Sequence, residues 1–464
     1  MQKSAFSINR NVFISSFLIL FVLLIVAGFL TRVLPTGTFE RHIMDGKTFV
    51  DFNSYRFLEA ERLPVYRWFT APIEVLMSPD GPRIVALLLL LLVVGGSFSI
   101  LHETSVLNYA VFSLIVRFKN RKNLLIAMVT LVFMLFGSML GLFEEVVPFV
   151  PIVVQLSLQM GWDEFLGLGM SILAAGFGFS AATFNPFTVL LAQSLAGLPA
   201  FSGLLFRVLV FVAIYSLLIF FLLRYSKKFG RNASVNEQNV EVSDSASRKT
   251  FRTFVFFVIL MITVILISFF FTTLQTYLVP VIALVYLLMG FFCGLSAKAG
   301  FLNVLKIFFR GLLTILPSTL LILLAASIKH VVEQGMVMDT ILHRAVGLLG
   351  SGHIRVALMV YLIVLVLNFF IPSASAKAFL LMPLLVPIAQ LTGLSRQVLV
   401  LSFIFGDGFS NMIFPTNPVL LISLSLASFS YFKWLRKTIS LQIFVFLVTV
   451  IFLIVAVLIE YGPF

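Results

Sequence analysis

Gly178-Phe-Ser-Ala-Ala-Thr-Phe-Asn-Pro-Phe-Thr-Val-Leu-Leu191 is an apolar stretch interrupted by an Asn-Pro step, and Gly408-Phe-Ser410 followed by Asn417-Pro-Val-Leu-Leu421 repeats the pattern in the second half of the chain. An upstream pair, Pro151-Ile-Val-Val-Gln155-Leu156 and Pro387-Ile-Ala-Gln390-Leu391, keeps the same order in both halves. Chance similarity between Leu/Val-rich segments is the plain alternative. The shared Asn-Pro and Gly-Phe-Ser steps, which are not hydrophobic filler, argue against it. Proline removes a backbone donor and frees a carbonyl one turn earlier.

The surroundings of these breaks are those of a membrane protein. Of 464 residues, 60% are hydrophobic and 11% charged, with 53 phenylalanines and a mean hydropathy of +1.11; soluble domains carry about a quarter charged residues. Apolar runs near twenty residues recur from Val12–Leu34 to Ile439–Ile459, each long enough to cross a hydrocarbon core roughly 30 Å thick. They are apolar on every face, which excludes an outer-membrane barrel. The first run is too long for a cleaved signal peptide and lacks a small-x-small site. The class is therefore an all-α polytopic membrane protein.

The net charge of +13 reads as membrane topology, not nucleic-acid binding. Lys and Arg gather at span ends: Lys3 and Arg10; Arg117, Lys119, Arg121 and Lys122; six basic against three acidic residues in Tyr225–Arg252; and Lys433, Arg436 and Lys437. The positive-inside rule places these in the cytoplasm. Pro35–Arg83, with six basic and seven acidic residues, fits outside. Gly230–Ser247, rich in Ser and Asn without apolar periodicity, reads as a flexible linker.

These constraints give a consistent trace with about nine full spans, two re-entrant helical hairpins and two broken helices. Spans at about 12–34 and 84–101 precede an interfacial stretch at 103–119. A hairpin at 123–160 has Glu144 and Glu145 at its tip, followed by a broken span at 165–200 and a continuous one at 203–224. The second half has spans at about 253–273, 278–295 and 311–328 and an outer-face stretch. A hairpin at 353–392 with its tip near Pro372–Ala376, a broken span at 396–429 and a last span at 438–460 complete it. The N-terminus then lies inside and the C-terminus outside, and the two halves are inverted. Inverted repeats with broken helices point to the midplane site of a secondary transporter.

Unwound backbone at membrane depth is tolerated where it is buried in protein or lines a wet cavity, and half-helix ends there offer amides to anions and carbonyls to cations. Asn185, Pro186 and Thr188, with Thr416, Asn417 and Pro418, thus carry the chemistry to bind a small polar solute or an ion. A mere kink in a packed helix is the bland reading of one Asn-Pro; two at matched positions, each beside a Thr, favour function. Glu144 and Glu145 sit between apolar stretches, where an ionised carboxylate costs several kcal/mol unless paired, protonated or bound to a cation. Asp407 and Asn411 in Gly406-Asp-Gly-Phe-Ser-Asn411 lie in a glycine-flanked turn that suits a cation cage, though a capping Asp is the competing reading. Ser373 and Ser375 supply hydroxyls at the second tip, and Lys377 suits a carboxylate there or snorkels to the interface. Glu144, Glu145 and Asp407 against Lys377 leave two uncompensated negative charges, room for a coupling ion, Na⁺ or H⁺, or for a solute bearing an ammonium or guanidinium group exchanged without an ion.

The single cysteine, Cys293, lies in an apolar run, so no intramolecular disulfide or thiolate metal site forms. The five histidines show no ligand spacing, no phosphate-cradling Gly-rich loop is present, and no nucleophile-base constellation suggests an enzyme. A channel or gated pore is the competing class, but the polar residues concentrate at four breaks instead of lining a continuous stripe.

Glu144-Glu-Val-Val-Pro-Phe-Val-Pro151, Asn185-Pro-Phe-Thr188 with Ala192-Gln193 and Ala196-Gly-Leu-Pro199, Phe370-Ile-Pro-Ser-Ala-Ser375, and Gly406-Asp-Gly-Phe-Ser-Asn411 with Pro415-Thr416 together resemble the YfcC-like branch of the anaerobic four-carbon dicarboxylate carrier family, within the ion transporter superfamily. The resemblance spans Val12 to Leu458. It implies a multi-pass secondary carrier of the bacterial inner membrane, a homodimer in which a transport domain moves against a scaffold by elevator motion. The scaffold comprises 1–122 and 253–352, the transport domain 123–224 and 353–464, and 225–252 is the cytoplasmic linker. It also implies a carboxylate-bearing substrate, a dicarboxylate or a basic amino acid such as arginine or ornithine, with no cofactor. Where the family pattern leads one to expect Ser-Gly-Ser at the second tip, this chain has Ala374 between Ser373 and Ser375, which bears on tip flexibility and substrate fit.

Overall fold

The computed structural model describes residues 10–44, 47–59, 61–118, 120–229, 245–268, 271, 274, 277–347, 350 and 352–462. Lys3, Lys119 and the linker residues 230–244, invoked above, lie outside them.

The chain opens with α1 (Arg10–Val33), a two-stranded antiparallel hairpin of β1 (Gly37–Met44) and β2 (Lys47–Phe57), and the short helix α2 (Tyr66–Glu74). Then come α3 (Gly81–Glu103) and α4 (Val106–Phe118), separated by Ser105 in the left-handed region (φ 55°). Next, α5 (Lys122–Leu135) widens into a π turn at Phe136–Leu140 and reverses through 141–146 into α6 (Val150–Gln159). The first broken helix is α7 (Glu164–Leu168) and α8 (Ala174–Ser180), then non-helical 181–185, then a π turn from Pro186 into α9 (Leu191–Leu195). After α10 (Leu204–Ser226), α11 (Ser245–Ser268) and α12 (Leu278–Ser296) come α13 (Phe301–Gln334) and α14 (Met338–Val346). The second helix–turn–helix is α15 (His353–Asn368) and α16 (Ala374–Thr392), the second broken helix α17 (Arg396–Gly408) and α18 (Pro418–Leu426), and the last helix α19 (Tyr431–Leu458).

Nine helices among the described residues are long and apolar enough to span a bilayer. The count matches the sequence expectation, but the membership differs. Lys122–Leu140 and Ala374–Thr392, read above as hairpin limbs, are among the nine, whereas the broken helices fall into shorter apolar pieces. Three boundaries also move. The span expected at 311–328 is the 34-residue α13, because Lys306, Arg310 and Lys329 interrupt hydropathy without interrupting the helix; long basic side chains keep their stems on the helix and their heads in polar surroundings. The last helix begins at Tyr431, ahead of the expected 438. Pro35–Arg83, expected as an outside loop, holds the β hairpin and α2. That hairpin is tied down: the Phe39 amide donates to Asp339 Oδ2 at 3.0 Å, Tyr55 stacks on His343 at 4.0 Å between ring centres, and the Gly37 amide donates to Met336 O at 3.0 Å.

Two packing centres position the polar residues. In the first, α3 crosses α13 and α12 with almost no side chain between the backbones: a Cβ on Gly311 would lie 2.5 Å from Gly95 O, and one on Gly290 would lie 2.9 Å from Ser97 Cα. Small residues allow such approach where lipid removes the hydrophobic drive between helices and van der Waals contact replaces it. In the second, α8 meets α17, where a Cβ on Gly408 would lie 2.4 Å from Ser180 Cα and Phe177 packs edge-on to Phe409 at 5.6 Å. Large apolar side chains such as Leu18, Phe29, Leu313 and Ile451 are exposed along the outer faces, as lipid contact requires.

The basic helix ends gather. Lys437 Nζ lies 3.0 Å from Asp163 Oδ2, Tyr225 donates to the same oxygen at 2.5 Å, and Lys122 Nζ reaches Met160 O at 3.4 Å. The N-terminal ends of α5 and α19 and the C-terminal end of α10 therefore share one face of the molecule.

Candidate functional site

Each Asn-Pro step is the N-cap of a half-helix. Asn185 Oδ1 accepts from the amides of Phe187 (2.8 Å) and Thr188 (3.3 Å), and Asn417 Oδ1 accepts from those of Val419 (2.9 Å) and Leu420 (3.4 Å). Both cap geometries satisfy donors that the helix itself cannot, and Pro186 and Pro418 occupy the first helical position, where a missing N–H costs nothing. The amide nitrogens diverge. Asn185 Nδ2 donates to Gly137 O at 3.2 Å in the π turn of the first helix–turn–helix, whereas Asn417 Nδ2 donates to Asn411 Oδ1 at 2.9 Å.

Around the second break a polar network is sealed from solvent. Lys377 and Asp407, each 0% exposed, pair with Nζ 2.6 Å from Oδ1. Lys377 also donates to Asn368 Oδ1, and Asn368 Nδ2 donates to Ser410 Oγ (2.7 Å) and Asn411 Oδ1 (2.8 Å). Lys377 and Asp407 thus neutralise each other, so the two uncompensated negative charges counted from sequence are those of Glu144 and Glu145, and the partner of Lys377 is Asp407.

Beside the second break is a cavity of about 110 Å³ between the two packing centres. One side is built by the tips and the second break: Phe143 and Glu144, Pro372 and Ser373, and Thr416 to Val419. The other side is the start of α3, with Asp80 and Arg83, and the late turns of α13, with Lys329, His330 and Glu333. Arg83 spans the gap: Nη2 donates to Glu144 Oε1 at 2.6 Å and Nη1 to Ser373 Oγ at 3.0 Å. Lys329 pairs with Asp80 and lies 3.3 Å from Glu333. At the rim, His330 Nε2 is 3.5 Å from Glu74 Oε2. Arg67 donates to Glu74 at 2.6 Å and, against burial, holds that carboxyl down at about 2, so Glu74 is ionised at any physiological pH.

Of the residues singled out in the sequence, Glu144, Ser373, Thr416, Asn417 and Pro418 come together in this cavity. Thr416 Oγ1 is buried with no hydrogen-bond partner, a group left for something else to satisfy. Thr188 Oγ1 is likewise buried and unpartnered, but it lies with Asn185 and Pro186 in the first break, outside the cavity lining. Glu145 turns away and accepts from the Phe143 amide at 3.2 Å, Ser375 is half-buried beside the second tip, and Asn411 belongs to the sealed network.

The match to known proteins runs nearly end to end. The family model for the C4-dicarboxylate anaerobic carrier, DcuC, covers residues 13–458. The chain belongs to this family. C4-dicarboxylate anaerobic carriers are membrane transporters and not enzymes, and an Escherichia coli K12 relative, "Putative basic amino acid antiporter YfcC", is 29% identical over 96% of each chain. A Haemophilus influenzae protein without an assigned function is 26% identical over 91% of this chain and 93% of its own. Among solved structures, the Alcanivorax borkumensis YdaH transporter superposes with a TM-score of 0.43 at 18% identity, covering 97% of this chain and all of that one.

Sequence reading missed Asp80, Arg83, Lys329, His330 and Glu333. Arg83 and Asp80 were assigned to the outside segment, and Lys329 and Glu333 to the stretch beyond a span drawn too short. The available signal was the i, i+4 pair Lys329/Glu333 continuing the apolar periodicity of α13, since paired charges on one helical face mark continuation of the helix.

Proposed function

We propose that this protein is a secondary carrier that exchanges basic amino acids across the bacterial inner membrane. One observation carries the reading: Arg83 joins Glu144 and Ser373 in a cavity lined by three acidic residues, Asp80, Glu144 and Glu333, and two basic ones, Arg83 and Lys329, counted at their formal charges with His330 neutral. The balance is one net negative charge. A four-carbon dicarboxylate would deepen it, whereas a solute with one carboxylate, an α-ammonium and a cationic side chain cancels it. In this reading the solute carboxylate displaces Glu144 and Ser373 from the Arg83 fork, with the Thr416 hydroxyl as a further donor, and the released Glu144, with Asp80 and Glu333, takes the cationic groups. The description of the Escherichia coli relative as a basic amino acid antiporter accords with this charge balance.

The cavity's position supports a division into scaffold and transport domains. Its lining from α3 and α13 belongs to segments 1–122 and 253–352, and its tips and break belong to 123–224 and 353–464. In this reading, elevator motion carries the tips past Arg83 and Lys329, and the scaffold segments form the homodimer contact. The shared face of basic helix ends is cytoplasmic, with the N-terminus inside and the C-terminus outside.

Counterflow in proteoliposomes tests the reading. Labelled arginine or ornithine should exchange saturably against unlabelled arginine inside, and four-carbon dicarboxylates should neither exchange nor compete. Dicarboxylate exchange without arginine exchange refutes the assignment, and single-channel currents would move the protein to the pore class.

A further inference from the structure

The least explained feature outside the cavity is the sealed pair Lys377–Asp407. Taking two charges out of water costs several kcal/mol per ion before their attraction repays it, and among the described residues of the first half no such fully buried pair is present. Where the motifs match, Gly178 with Gly408, the residue preceding the glycine is Phe177 in the first half and Asp407 in the second.

The arrangement around Lys377 Nζ is that of a cation site. The donors of the surrounding carboxamides are spent on one another, on Ser410 and on the backbone: Asn417 Nδ2 and Asn368 Nδ2 both donate to Asn411 Oδ1, Asn368 Nδ2 also to Ser410 Oγ, and Asn411 Nδ2 to the Asp407 backbone O at 3.1 Å. This leaves Asn368 Oδ1 and Asp407 Oδ1 aimed at one position, and the Lys377 ammonium fills it. A carboxylate oxygen with a carboxamide oxygen is the donor chemistry of a hard cation. Here the cation is covalently attached one turn into α16, directly below the Ser373 tip, and it ties that tip to the ends of α15 and α17. The tethered ammonium occupies the position a free Na⁺ would need and already compensates the Asp407 charge. The coupling Na⁺ that the site's negative charge first suggested therefore does not fit at this tip.

We infer that Lys377 is a built-in cation that holds the second tip closed in place of a coupling metal ion, so that exchange at this site runs without Na⁺. This rests on the exchanger reading above for its transport consequence, but not for its structural one.

The test uses the full-length protein in two assays. In wild type, arginine counterflow and the unfolding temperature in detergent should be the same in NaCl and in N-methylglucamine chloride. The Lys377→Ala variant, in which the acceptors lose their cation, should unfold several degrees lower in N-methylglucamine and be restored in part by methylammonium or Na⁺. As a fold-preserving control, the apolar double variant Lys377→Met with Asp407→Leu should remain folded and insensitive to added cations, with counterflow down about tenfold or more, each 1.4 kcal/mol of lost closure being a factor of ten. Wild-type counterflow that requires Na⁺ overturns the inference, as does wild-type-rate exchange by the double variant. It is also overturned if neither cation raises the unfolding temperature of Lys377→Ala. Absence of arginine counterflow in either salt, with the cation-dependent unfolding as expected, would refute the exchanger reading and leave the built-in cation standing.

Discussion

Arg83 Nη2 lies 2.6 Å from Glu144 Oε1, although the two residues come from different halves of the cavity wall, one at the start of α3 and the other at the turn between α5 and α6. The same guanidinium holds Ser373, so one side chain engages both tips. A planar fork does this without strain, whereas an ammonium is a point charge with no fixed fork. Arg83→Lys is therefore expected to retain measurable exchange and Arg83→Gln to lose it, both with normal membrane insertion.

The pairing predicts non-additivity. Glu144→Gln alone leaves Arg83 facing a neutral partner, and Arg83→Gln alone leaves Glu144 unpaired at the cavity wall. The double variant removes both problems. In a double-mutant cycle the coupling should reach about 0.5–1 kcal/mol, at the low end for residues in direct contact because the Arg83 side chain is half exposed; additive losses in exchange rate would show that Arg83 acts independently of Glu144.

How far the sequence disclosed this site follows from what local patterns encode. Asn185 and Asn417 were legible because an Asn-Pro step within an apolar run announces its own capping geometry, and Glu144 because an acidic residue among twenty apolar ones is costly. Arg83 was not legible. Its role depends on α3 crossing α13 through Gly95 and Gly311 and thereby carrying its N-terminal turn to the tips, a tertiary fact without a sequence period. Lys377 misled for a related reason: its partner Asp407 is thirty residues away, and only the return of α17 beside α16 shows that the charge is already spent. The β hairpin was hidden by a run of mixed charge that topology rules treat only as a long loop.

The two caps should fail differently. Asn185→Ala and Asn417→Ala each remove an N-cap worth about 0.5–2 kcal/mol, and both should abolish uptake while the protein still inserts. Asn417→Asp keeps the cap acceptor but loses the donor to Asn411 Oδ1 and adds a charge beside the Lys377 network. It should be less active than Asn185→Asp, whose lost donation is to a single backbone carbonyl. Uptake at wild-type rates by both alanine variants would remove the breaks from the mechanism.

Backbone contact at the second packing centre sets a steric test. A methyl on Gly408 would meet Ser180 Cα at 2.4 Å and Oγ at 2.2 Å, and the backbone of α8 cannot yield as a flexible side chain would. Gly408→Ala should lower stability by about 1–3 kcal/mol, read as a reduced unfolding temperature in detergent. Ser180→Gly in the same chain should recover part of the loss by removing two of the three opposing atoms, Oγ and Cβ, and leaving Cα.

Thr416 separates binding from folding. The residue lines the cavity and its Oγ1 is buried with no hydrogen-bond partner in the protein, so a rotation about χ1 would offer a bound solute a hydrogen bond that the substrate-free protein does not use. Thr416→Val preserves shape and removes that hydrogen bond, worth about 0.5–1.5 kcal/mol. The expected result is a rise of about two- to twelvefold in the half-saturating arginine concentration, with the unfolding temperature of the substrate-free protein unchanged or slightly raised. A fall in that temperature with unchanged half-saturation would mean the hydroxyl serves the fold, and the solute would then have to be placed elsewhere along the cavity wall.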